Sequence, residues 1–220
     1  MMYYLGDIEE VFAVSKIWEP KRYKGEKIGV ANFYDHWVND VPDEIKATAE
    51  DMVIPTMKYK NGAVGQWTSF FAAHGEVTEY GMIYGSKGSI SPAKQRRGDP
   101  LTITLDGAGT ISGNDVLELV PNFHLDELPA RLFGSERLGS YNTPFEDADR
   151  FLDALEYFEL GQCIADGTKP EVDAYTGRKD LAVCNAALES SILGRPVTIE
   201  EIENEKTSVY ESSINDHWKI

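Results

Sequence analysis

The sequence is poor in cysteine, histidine and positive charge, and each shortage argues against a class of function. Its two cysteines, Cys163 and Cys184, belong to no CxxC or Cys/His grouping. A disulfide scaffold or structural zinc site is therefore not expected, and two buried thiols in a reducing, cytoplasmic setting are. Only 21 lysines and arginines stand against 37 aspartates and glutamates, a net charge of −16. Such a surface repels phosphate backbones and anionic headgroups, so nucleic acid and membrane surfaces are not expected partners. No apolar run approaches the ~18 residues that a spanning helix needs. The opening MMYYLGDIEE lacks a basic start and a long apolar core, so it does not read as a signal peptide. GxGxxG, GxxxxGK[ST], GxSxG and HExxH are all missing.

What is present supports a packed domain. A hydrophobic content of 42% and an aromatic content of 11% suffice for a core, and residues 1–220 are expected to form one domain. MMYYLG reads as the end of a helix closed by Gly6, followed at once by a strand over residues 8–18. Residues 19–50 are irregular and carry the aromatic run NFYDHW. VIPTMKY and AVGQWTSFF flank Lys60-Asn61-Gly62, a strong hairpin cue. VTEYGMIYG runs into the tight turn Gly85-Ser86-Lys87-Gly88, and LTITL and VLELV read as strands flanking DGAG. Hairpin-length turns predict an open, largely antiparallel β-sheet of five or more strands.

After Pro144 the period changes. Thr143-Pro144-Phe145-Glu146 reads as a capping box with proline at the first helical position. Phe151, Leu152, Leu155, Phe158 and Ile164 mark the core-facing side of a long helix that Gly167 stops. A second helix runs from about Thr176 to Leu193, closed by Gly194 and Pro196. VTIEEI suits an edge strand, and SINDHWKI fits more than one assignment. Strands first and helices later make an α+β fold with helices packed on one sheet face. AVGQWTSFF is apolar at both parities, which calls for cover on the second face as well. A second copy of the chain is the economical cover, so a homo-oligomer through the open sheet face is expected.

Three strings carry a family resemblance: KYKNGAVGQWTSFFAAHGEVTEYGMIYGSKGSI, FEDADRFLDALEYFELGQCIADGTKPEVDAYTGRKDL and LAVCNAALESSILGRPVTIEEI. Together and in this order they resemble the C-terminal domain of the glucose–fructose oxidoreductase / inositol dehydrogenase (Gfo/Idh/MocA) family, over residues 8–202. The resemblance implies a two-domain NAD(P)-dependent enzyme that oxidises a sugar or polyol hydroxyl. The C-terminal part would supply substrate contacts and the oligomer interface. NAD or NADP would sit in an N-terminal Rossmann domain, and the catalytic lysine and Asp/His pair implied by the resemblance match no position here. No cofactor site, catalytic residue or metal ligand is therefore assigned to this chain, and it is expected to be inactive alone.

Four residues are candidates for sugar or polyol binding. His74 follows a strand directly, where a neutral imidazole could bond a hydroxyl, or simply face solvent. Trp18, Arg22 and Tyr23 flank the long loop, and aromatic rings beside a cation suit a polyol; packing and a solvated cation are the competing reading. His36, in NFYDHW, reads as packing, and its neighbour Asp35 would point the other way on a strand, so the two make no metal pair. Glu50 and Asp51 could be general bases on spacing alone but read more readily as the polar lead-in to VIPTMKY; Arg96 and Arg97 could hold an anionic substrate but read as surface charge balance in so acidic a chain. The competing function is a freestanding, non-enzymatic carbohydrate-binding or assembly subunit that completes a site in a partner chain. A lyase or isomerase on the same scaffold ranks below both.

Overall fold

The computed structural model describes residues 1–23, 42–76, 78–94 and 96–219. The whole run NFYDHW, with Asp35 and His36, lies outside the described residues. In chain order come α1 (Met2–Leu5), β1 (Ile8–Lys16), β2 (Lys21–Tyr23), β3 (Glu44–Lys46), β4 (Met52–Tyr59), β5 (Val64–Gln66) and β6 (Ser69–Phe70). Next are β7 (Ile83–Gly85), β8 (Gly88–Ser91), β9 (Thr102–Leu105), β10 (Gly109–Ser112) and a 3-10 helix at Gly113–Leu119. Then follow α2 (Glu127–Phe133), α3 (Phe145–Asp166), α4 (Ala174–Leu193), β11 (Val197–Thr198), α5 (Ile199–Glu203) and α6 (Ser212–Trp218). The fold is α+β, and the described strand pairings are antiparallel throughout. They form three sheets rather than one, and the chain divides into two compact units.

The first unit joins Met1–Gly75 to Ala174–Ile220. Its main sheet has the order β11-β1-β4-β5, with β6 also on β4. Burial alternates along β1: Val11 and Ala13 are buried, Phe12 and Val14 exposed. The buried parity meets α4, whose Ala186 and Ala187 pack with Ile8, Val11, Met57, Tyr59 and Val197. Alanine on the helix lets its backbone approach the sheet closely, and burying a valine such as Val11 is worth about 1.5–3 kcal/mol. The hairpin is as read: Gly62, at φ 89, occupies a backbone region that favours glycine, and Asn61 Oδ1 accepts from Ala63 N at 3.0 Å. Asn61 Nδ2 also donates to the Leu5 carbonyl at 2.9 Å, tying the hairpin to the end of α1.

The string ESSILGRPVTIEEI acts as a fastener for this unit. Where β11 ends, α4 serines take over the edge of β1: Ser190 Oγ accepts from Ala13 N at 3.0 Å, and Ser191 Oγ from Ser15 N at 2.8 Å. Buried Glu189 accepts the Thr207 hydroxyl at 2.7 Å and the Tyr210 amide at 2.6 Å, which holds the segment before α6. Gly194, at φ 65, ends the helix, and Val197 pairs with Val11. Thr198 and Glu201 then form a complete capping box at the start of α5.

The second unit spans Glu76–Asp173. It holds the sheet β10-β9-β8-β7, the 3-10 helix, α2 and α3. Gly88 is obligatory in the GSKG turn, since a Cβ there would lie 2.0 Å from the Thr104 carbonyl oxygen. Phe133 packs against Tyr141 and Phe151 with ring centroids 4.8 and 5.7 Å away.

Several expectations are corrected. VLELV falls in the 3-10 helix region instead of a strand, and Arg137 satisfies its end by donating to the carbonyls of Leu117 and Val120 at 2.7 and 3.1 Å. Among its described residues VTEYGMIYG contributes only β7, and AVGQWTSFF splits into β5 and β6. VTIEEI gives two strand residues and then α5, because the capping box starts a helix; SINDHWKI holds α6. Thr143 is not a cap. The N-cap of α3 is Pro144, whose carbonyl takes the first helical bond from Ala148 N, and no side chain caps it. On α3, Phe158 and Ile164 are exposed, so the expected core stripe holds only in its first half. Cys163 is buried but Cys184 is exposed, and both are free.

Candidate functional site

The C-terminal end of β1 and the start of β4 meet over one buried carboxylate. Asp51 is 5% exposed, and its two oxygens accept three hydrogen bonds. Oδ1 takes the Trp18 amide at 2.7 Å, while Oδ2 takes the Glu19 amide at 2.9 Å and the Arg22 guanidinium at 2.5 Å. Burial alone would raise this carboxyl's pKa. The two amides and the Arg22 charge outweigh that effect and hold it below the ordinary aspartate value, so the ionised form is the native one. The Asp51 main chain also bridges neighbours, donating to Lys16 O at 3.2 Å and accepting from Phe71 N at 2.7 Å.

Three of the four expected binding residues collect around this group. Trp18 meets Phe70 edge-on at a centroid distance of 5.9 Å, and Lys16 Nζ lies 4.8 Å from the Trp18 ring centroid. Arg22 is committed to Asp51 rather than projecting freely. His74 Nε2 lies 3.3 Å from Glu19 Oε1 with its side chain 83% exposed, so its other face is open to a ligand. Tyr23 is half-exposed at the end of β2, in register with Glu44, and no described contact joins it to the cluster. Trp18 and Phe70 thus present a half-open aromatic shelf, and Glu19, next to Trp18 in sequence, carries the imidazole–carboxylate pair. An apolar ring face beside hydroxyl-binding groups is what an uncharged, hydroxyl-rich ligand needs.

The part that Asp51 and Glu19 play here escaped the sequence reading. A carboxylate just before an apolar strand reads as a polar boundary, and nothing in linear spacing reveals that Asp51 faces residues about thirty positions earlier. Glu50 is also engaged: Tyr210 donates its phenol to Glu50 Oε2 at 2.7 Å, and that bond, with burial, pushes the phenol up to about 12. Arg96 and Arg97 pair with Asp149 and Glu79, in keeping with charge balance. Among the described residues no group of three or more His, Cys, Asp or Glu side chains could hold a metal ion, and no helix is long and apolar enough to cross a membrane. Nor does a parallel strand–turn–helix unit of the kind that cradles a dinucleotide pyrophosphate form among the described residues, whose strand pairings are antiparallel.

Comparison with known families adds the decisive observation. The profile of the GFO/IDH/MocA oxidoreductase family, C-terminal alpha/beta domain, matches residues 3–199. The chain belongs to this family. No curated protein matches it by sequence. Among solved structures, levoglucosan dehydrogenase in complex with NADH and L-sorbose superposes with a TM-score of 0.60 at 20% identity, covering 92% of this chain and 48% of that one. An NAD-binding oxidoreductase from Klebsiella pneumoniae gives 0.63 at 18% identity, with 90% and 47% covered. An Agrobacterium radiobacter oxidoreductase, in complex with NAD+, L-tartaric acid and magnesium, gives 0.55 at 20%, with 91% and 46% covered. At these identities the likeness shows the fold alone, and the chain spans less than half the length of each of these structures.

Proposed function

We propose that this chain is the substrate-side domain of an NAD(P)-dependent sugar or polyol dehydrogenase, with substrate resting on the Trp18–Phe70 shelf beside His74. The observation that carries the reading is the family match over residues 3–199, joined to a half-open aromatic and imidazole–carboxylate cluster that suits an uncharged polyol. Residues 1–220 are read as one substrate-binding and oligomerising domain. The nicotinamide is proposed to bind outside it, a reading supported by the lack of a parallel strand–turn–helix unit among the described residues. Hydride transfer needs that cofactor and a proton acceptor, so the chain alone is proposed to be inactive.

The exposed parity of the main sheet supports self-association. Phe12, Val14 and Val64 present apolar surface opposite α4, where a solvated antiparallel sheet would place polar residues. A like sheet from a second copy would cover it. A reducing, cytoplasmic setting is proposed with the free thiols in view.

Titration of the purified chain with L-sorbose, levoglucosan, L-tartrate, NADH and NADPH, followed by ¹⁵N NMR, tests the binding claims. Sugar-induced shifts at Trp18 and His74 with none from either nucleotide are expected. Micromolar nucleotide binding, or sugar shifts confined to the other unit, would overturn the proposed site.

A further inference from the structure

Asp51 contributes a pattern that simple strand pairing does not require. It is nine-tenths buried, yet its carboxylate serves two amides of the β1–β2 connection and the Arg22 guanidinium of β2. Those amides belong to Trp18 and Glu19, which form the shelf and the partner of His74. The Asp51 main chain meanwhile bonds Lys16 and Phe71, which flank Trp18 and Phe70 in sequence. One residue therefore fixes both walls of the candidate site while standing behind them.

We infer that Asp51 is the positioning residue of this site: its buried carboxylate sets the pose of the Trp18 ring and of the Glu19–His74 pair. The inference rests on the sugar-site reading given above. The groups facing the carboxylate are the two amides and Arg22, with Glu19 directed outward to His74. Arginine beside a carboxylate makes the strong, charge-assisted kind of hydrogen bond, and a backbone amide on each oxygen fixes its orientation. An asparagine of the same shape offers one acceptor oxygen in place of two and turns an N–H toward a donor. It also leaves the Arg22 guanidinium, itself part-buried, without its counterion. At least one of the two amides must then lose its partner, and the connection that carries Trp18 and Glu19 shifts.

The test compares Asp51→Asn with Tyr210→Phe in the full chain. Tyr210→Phe removes a bond to the adjacent Glu50 but leaves every bond to Asp51 in place, so it serves as a control for general destabilisation. Amide hydrogen exchange at Trp18 and Glu19, and the Trp18 indole resonance assigned through Trp18→Phe, are measured for each. In Asp51→Asn, exchange at the two amides should accelerate roughly tenfold or more and the indole resonance should move, with neither change in Tyr210→Phe. Affinity for L-sorbose and levoglucosan should fall roughly tenfold in Asp51→Asn alone. Amides and indole unchanged in Asp51→Asn would overturn the inference, as would equal changes in both variants. Wild-type chain that binds no sugar would instead overturn the sugar reading, while the exchange data still decide the role of Asp51. If Asp51→Asn does not fold, Arg22→Gln strips one of the three bonds. It should then accelerate exchange at the same two amides about threefold, and no acceleration overturns the inference.

Discussion

Ser190 Oγ accepts the Ala13 amide at 3.0 Å and donates to the Arg195 carbonyl at 2.7 Å from a fully buried position. One hydroxyl thus closes the β1 edge beyond β11 and stitches α4 to the turn that follows it. Ser190→Ala leaves the buried Ala13 amide and the part-buried Arg195 carbonyl without partners, a loss of about 1–3 kcal/mol. In a chain of this size each kcal/mol lowers the melting temperature by roughly 2–4 °C. Thermal denaturation should show that fall, and an unchanged midpoint would mean the serine is not bearing on the edge.

The helix cap that matters lies at Thr198, not Thr143. Thr198→Ala is expected to cost about 1 kcal/mol, while Thr143→Ala should leave the denaturation midpoint within about 0.5 kcal/mol of wild type. The reverse order in urea titrations would contradict the assigned caps.

Glu201 makes the cap pH-dependent. The Arg195 guanidinium at 2.8 Å, with the Thr198 amide, draws its carboxyl from 4.5 down to about 2. Its folded value is depressed, so its stabilisation is present above the unfolded value and is lost as pH falls through the folded one. The stability gap between wild type and Glu201→Gln should be full at pH 6, shrink below about 4.5 and close toward about 2. Melting curves from pH 6 to pH 3 that show a constant gap would refute the assignment.

Self-association through the main sheet has a direct probe. Phe12→Glu with Val14→Glu places two charges on the exposed parity of β1, leaving the buried parity untouched. Stable interfaces bury about 1,200 Å² or more, and charges at their centre are costly. Light scattering at micromolar concentration should report a dimer or larger for the wild type and a folded monomer for the double variant. A monomeric wild type would show that something other than a second copy covers the face.

Much of this architecture is legible in the sequence because it rests on local chemistry. Asn61-Gly62 forces its hairpin, Gly6, Gly167 and Gly194 end helices in left-handed or otherwise positive-φ backbone, and α4 runs where its period places it. The misreadings share a different cause. VLELV has strand-like composition, but its carbonyls are met by Arg137 from nearly twenty residues away. Thr143 has the right spacing, but Pro144 takes the cap position because its carbonyl, not that of Thr143, begins the ladder. Trp18, Arg22 and His74 are visible as residue types, whereas Asp51, which gathers the first two, looks like an ordinary strand boundary until the chain is folded.

The central claim is that this chain supplies substrate contacts to a nicotinamide-dependent oxidoreductase. Its most direct test is absorbance at 340 nm with NAD+ or NADP+ and a panel of sugars and polyols. The chain is assayed alone and joined to a nucleotide-binding half supplied by another member of the same family. The account predicts no reduced nicotinamide from the chain alone and sugar-dependent reduction once that half is joined, weakened by Asp51→Asn. Turnover by the chain alone, or none from the joined protein with any sugar or polyol, would contradict it.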